Sequence, residues 1–121
     1  MLDPNKDTLQ NSTEFSILAS YLYMDYHTNQ KPFKLDVSAF TVGTCRAMAK
    51  VINDEIDKGD NGIISYALLE FEEELSNSNS IYDQNIFLDI LSTSPFRLDI
   101  AKKYHDNLVG KKYLRKLKVA V

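Results

Sequence analysis

Apolar residues recur at intervals of three and four along most of the chain, the spacing of helices that bury one face. The first such stretch predicts a helix from Ser12 to about His27. Phe15, Leu18, Leu22 and Tyr26 form one stripe, and Ile17, Tyr21 and Met24 a second beside it, with Tyr23 widening the surface further. A helix this apolar is packed on more than one side, or lends part of its Tyr-rich surface to another chain. Asn11 and Glu14 stand at capping-box spacing near its start.

His27 to Leu35 reads as a loop, because Pro32 biases Lys31 away from helix, and Phe33 and Leu35 are placed to pin it to the core. A second helix is expected from Asp36, a good N-cap, to Lys58, with Gly59 as C-cap. Its Gly43 and Ala47 form a pair of small residues that would admit a neighbouring helix closely. After a tight Gly59 to Gly62 connection, a third helix over Ile63 to Leu75 turns Ile64, Ala67, Leu68, Phe71 and Leu75 inward. A fourth helix over Tyr82 to Leu91 follows the Ser76 to Ser80 break. Ser94 and Pro95 make an N-cap and first-turn pair for a fifth helix, with Phe96, Ile100, Tyr104 and Leu108 in register and an end at Gly110. The remaining residues form a sixth short helix, a terminal strand or a frayed tail. The expected fold is all-α: residues 1–121 as one compact bundle of five to six helices.

Composition agrees with that reading. Only 4 glycines and 3 prolines occur in 121 residues, too few for the many turns of an all-β domain. No heptad persists, so the bundle is irregular rather than a coiled coil. Charge changes the picture more. The formal net charge of -3 hides a net of -9 over residues 1–100 and +6 over residues 101–121. The basic C-terminal segment 102–121 is a solvated helix beside an acidic body, or a contact for something anionic.

Candidate chemistry is sparse. Cys45 is the only cysteine, so no disulfide forms within the chain, and it is expected to be a small buried hydrophobe. His27 and His105 have no partner at chelating spacing, and no metal or cofactor is expected. With Gly62 as turn glycine, Asp57, Asn61 and Ile64 fall on the first, fifth and eighth positions of a calcium loop. Asp57 to Leu68 therefore resembles an EF-hand loop. It departs at Gly59 in the third position and at Leu68 in the twelfth, where calcium needs a bidentate carboxylate. An ordinary turn between helices, or a loop that has lost its metal, accounts for it. Glu70, Glu73 and Glu74 crowd together as a solvated face, whereas acid/base carboxylate pairs need burial to separate their pKa values. No catalytic residue is assigned.

The expectation is a non-enzymatic, cytoplasmic protein: a small inhibitor, immunity or regulatory adaptor protein that occupies a surface on a partner. There is no apolar run long enough to span a membrane, and the start lacks the order of a signal peptide. The candidate contact residues are Tyr23, Tyr26 and His27, the acidic row Glu70, Glu73 and Glu74, and the basic group Lys111, Lys112, Arg115 and Lys116. The two charged groups would also suit self-association or docking within the chain. The alternative is a small DNA-binding regulator that uses the basic segment, since a recognition helix drawn through ISYALLEFEEEL would repel phosphate. In size, helical content and basic C-terminal end the chain loosely resembles the immunity proteins of class II bacteriocin producers, which implies a four-helix bundle with a C-terminal recognition tail.

Overall fold

The computed structural model describes residues 4–24, 31–59, 63–78 and 80–119. Five α-helices follow in order: α1 (Pro4–Leu22), α2 (Gly43–Asp57), α3 (Ile64–Asn77), α4 (Ile81–Leu91) and α5 (Leu98–Val119), with a 3₁₀ turn at Val37–Ala39. The described residues contain no strand, and the chain is an all-α bundle.

Helix α1 is the axis of the bundle and packs against each of the other four helices. Ile17, Leu18, Ala19 and Tyr21 are fully buried, with Ser16 and Ser20 close to it. These residues point in every direction around α1, which explains why its apolar surface is broader than one stripe. The helix runs earlier than Ser12 to His27: it starts at Pro4, a residue suited to a first turn, and ends at Leu22. Tyr26 and His27 lie outside the described residues.

The Asn11–Glu14 capping box does not form across its two residues. Glu14 is fully buried and reaches out of α1 to the start of α2. Its Oε1 accepts from Thr41 N at 2.7 Å and Val42 N at 3.4 Å, and its Oε2 accepts from the Thr41 hydroxyl at 2.6 Å. This contact explains a second departure. Instead of one helix from Asp36 to Lys58, there is a 3₁₀ turn capped by Asp36, an extended link around Phe40–Val42, and then α2. The N–H groups that a break exposes go to Glu14, and Arg46 covers the carbonyls of Phe40 and Thr41 at 3.1 and 3.0 Å. Gly43 is exposed at the first turn of α2, so the Gly43–Ala47 pair forms no close helix seam. At the far end, Gly59 has φ of 68°, the left-handed turn expected just past a helix.

Loop 31–36 is tied down on two sides. The Tyr21 hydroxyl donates to the Phe33 carbonyl at 2.6 Å. The Asn53 side chain accepts from Leu35 N and donates to Leu35 O, both at 2.8 Å. Across the bundle, Asp83 of α4 accepts from Thr44 of α2 and from Ser80.

Helix α5 starts at Leu98 rather than at Pro95. The Phe96 N–H is taken by Ser20 Oγ at 2.9 Å, and the Phe96 ring stacks on Tyr104 at 4.5 Å, which holds residues 94–97 out of the helix. The buried line is Leu98, Ala101, His105 and Leu108, while Ile100 and Tyr104 are exposed. The inward face is therefore turned away from the Phe96–Ile100–Tyr104–Leu108 register. The helix does not stop at Gly110 but continues unbroken to Val119. Gly110 is open to solvent, with nothing near where a Cβ would stand, so its cost is the helix-propensity loss of about 1 kcal/mol.

Candidate functional site

Where Asp36, His105 and Lys112 meet, polar residues hold α5 on the loop. His105 and Lys112 lie seven residues apart and so share a helix face. His105 Nε2 accepts from Asp36 N at 2.8 Å, which requires that nitrogen to be unprotonated. Phe33 and Phe40 flank the imidazole, with ring centroids 5.4 and 6.3 Å away. Burial pushes the His105 pKa below its ordinary value, against the pull of the Asp106 and Asp36 carboxylates and with a small push from Lys102. Lys112 Nζ reaches Asp36 Oδ2 at 2.8 Å, and hydrogen bonding to Lys112 holds the Asp36 carboxyl below its ordinary range. Lys112 is thus committed within the chain rather than free for a partner.

This cluster makes stability fall as pH drops. The lowered His105 pKa means that its contribution is complete above the unfolded value of about 6.5 and is lost as pH falls through the folded value. Thermal melts from pH 7.5 to pH 5 should show a falling midpoint. His105→Gln, whose amide oxygen can accept from Asp36 N, should flatten that decline.

The remaining candidates divide by position. Tyr23 is exposed, but its hydroxyl donates to the Leu91 carbonyl at 2.7 Å, tying the end of α1 to the end of α4. Glu70, Glu73 and Glu74 are exposed on α3. With about 100° of turn per residue, Glu70 and Glu73 lie with Tyr66 and Leu69 on the side of α3 opposite buried Ile64 and Leu68, and Glu74 lies on the flank. Lys111, Arg115 and Lys116 are exposed on α5. Among the described residues no ion pair joins the acidic set to the basic set. The structure therefore brings the two charged groups onto separate surfaces, and neither neutralises the other by docking within the chain.

The C-terminal turns of α5 stand out. Residues 113–117 cover more than one full turn, and all five are exposed. Tyr113, Leu114 and Leu117 are 57%, 59% and 64% exposed. Helical rotation puts these three on the side away from Leu108 and Lys112, with Lys111 and Lys116 at the two edges of the apolar arc and Arg115 on the Leu108 side. The sequence shows these residues as a weak amphipathic pattern, but not which way they face. Leu114 also edges a groove between α5 and α1, lined by Thr13, Tyr104, Asn107 and Lys111.

Cys45 is buried at the start of α2, and burial, reinforced by Glu14, pushes its thiol up and away from the reactive thiolate. Asp57 pairs with Lys34 at 2.7 Å, and Leu68 is a core residue, so the ends of the calcium-like segment serve an ion pair and the core; residues 60–62 lie outside the described set. Among the described residues no group of three or more His, Cys, Asp or Glu could hold a metal ion, and no helix is long and apolar enough to cross a membrane.

No protein-family model, characterised protein or solved structure matches this chain. Its own surfaces are therefore the basis for a functional reading.

Proposed function

We propose that this domain is a non-enzymatic interaction protein, an inhibitor, immunity or adaptor type, that docks through the outward face of α5 onto a partner with an acidic and partly apolar surface. One observation carries the reading: Tyr113 and Leu117 are exposed and turned away from the bundle, Leu114 is exposed at the edge of the α5–α1 groove, and Lys111 and Lys116 border the three. A protein surface that exposes adjoining aromatic and aliphatic side chains next to cations supplies the anchor-and-rim arrangement of an interface. Burial of apolar anchors would supply affinity, and the cations would steer approach and orientation.

The same observation weighs against nucleic acid. A phosphate-binding helix presents its cations outward, whereas here the outward arc is apolar and Lys112 is held by Asp36.

The test compares three forms of the full chain as bait in extract from its own source. Wild type should retain a stoichiometric partner. Tyr113→Ser with Leu117→Ser should lose it, and Lys111→Glu with Arg115→Glu and Lys116→Glu should weaken it at least about tenfold. All five side chains are exposed, so circular dichroism melts should stay within about 1 kcal/mol of wild type. Equal recovery by all three baits removes α5 from the account.

A further inference from the structure

We infer that the α5 face binds a second copy of this chain, on the outer face of α3. This rests on the α5 reading above and names its partner. The argument starts from what α3 exposes. Tyr66 is 67% exposed and Leu69 is 50% exposed, both off the buried line of Ile64 and Leu68. Tyr66, Glu70 and Glu73 follow at helical spacing on one solvent-facing stripe, with Leu69 and Glu74 beside it. The α3 face thus combines two apolar side chains with three carboxylates. The α5 face combines three apolar side chains with a cation at each edge, Lys111 beside Leu114 and Lys116 beside Tyr113, while Arg115 lies round toward the Leu108 side. Each face carries what the other lacks in charge and matches it in apolar character.

Both faces are set up for another molecule rather than for each other. In the fold, α5 packs on α1 and the 3₁₀ turn, and α3 packs on α1, α2 and α4. The charged residues of both faces remain exposed. Lys58, at the end of α2, feels the field of Glu70 but is hydrogen-bonded to Glu55 at 2.7 Å, which leaves the acidic stripe largely unneutralised. Pairing α5 with α5 across two copies would set Lys111 and Lys116 against their own kind. Pairing α3 with α3 would do the same with carboxylates. Only the mixed contact joins opposite charge over apolar surface.

The contact uses one α5 and one α3. Made reciprocally by two copies it closes a dimer, and made once per copy it extends into chains. A single helix-on-helix contact is smaller than the roughly 800 Å² per partner of a standard interface, so the association is weak and salt-sensitive.

Sedimentation of the full chain over a concentration series tests this at low and at high salt. The expected wild-type mass rises above 13.8 kDa with concentration at low salt and returns to it at high salt. Glu70→Lys with Glu73→Lys and Glu74→Lys should stay monomeric, as should the Lys111→Glu, Arg115→Glu, Lys116→Glu variant. Mixing the two variants in equal amounts should restore association, because each again meets an opposite charge. A monomeric wild type at every concentration overturns the inference, as does self-association that neither variant weakens. Binding of monomeric wild type to phosphatidylserine-containing vesicles, with no self-association, also overturns it and assigns the α5 face to lipid. These outcomes are separable from failure of the α5 reading. A monomeric wild type whose partner is still lost on Tyr113→Ser and Leu117→Ser keeps the docking face and loses only the second copy.

Discussion

Glu14→Ala should destabilise the fold by about 2 kcal/mol, because it takes the acceptor from two part-buried backbone donors and leaves a hole where a fully buried side chain stood. The Glu14 side chain is fully buried and supplies acceptors to Thr41 N, Val42 N and the Thr41 hydroxyl. Alanine removes all three bonds and leaves a cavity that the surrounding helices fill only in part. Water reaching that space would recover some of the loss. Glu14→Gln keeps the shape and an acceptor oxygen for the two N–H groups, and its amide can donate to the Thr41 hydroxyl, so only the charge is lost and it should cost less than half as much. Chemical denaturation of the two variants beside wild type measures both. A loss below about 1 kcal/mol for Glu14→Ala would mean that the link between Phe40 and Val42 does not depend on this carboxylate.

A larger loss, about 3 to 5 kcal/mol, is expected for Phe87→Ala. Phe87 is fully buried on α4, and its ring lies 6.3 Å from that of Phe71 on α3. The aromatic side chain fills space in the core between α4 and α3, and alanine leaves it empty. Phe87→Leu keeps most of the volume and should cost less than half as much. The two core variants test different physics. Glu14→Ala fails through unsatisfied hydrogen bonding and Phe87→Ala through lost packing, so a small apolar molecule that fills the cavity should rescue only Phe87→Ala.

Much of the architecture was legible in the residue pattern. The inward residues of α3, Ile64, Leu68, Phe71 and Leu75, followed directly from three- and four-residue spacing and are buried or half-buried. The α4 range was read to within one residue, for the same reason. The breadth of the α1 surface correctly implied a helix packed on several sides. Helix starts were less legible. Ser94 and Pro95 form a good local signal, yet Ser20, seventy-six residues away, takes the Phe96 N–H and delays α5. A helix could have run on from Asp36, but Glu14 satisfies the donors of a broken link instead.

The α5 register shows the same limit. An apolar-only template places Tyr104 inside and ignores His105. In the fold, His105 is buried because Asp36 supplies a hydrogen-bond donor to Nε2, and Lys112 extends the same line through its ion pair. That rotation decides the candidate site. Once His105 and Lys112 face the bundle, Tyr113 and Leu117 face away from it and Leu114 stands at the edge of the α5–α1 groove. The basic segment then ceases to be a uniform charged tail and becomes an apolar arc edged with cations.

The sequence alone determined an all-α bundle, the order and approximate places of its helices, and the separation of a net charge of -9 from one of +6. Local spacing and turn chemistry are encoded within a few residues, so they could be read there. Tertiary structure alone decided where α2 and α5 begin, which of the basic residues remain free, and which side of α5 meets solvent. Those outcomes depend on hydrogen bonds and ion pairs between residues far apart in the chain, such as Glu14 with Thr41 and Asp36 with Lys112, and no local periodicity carries them.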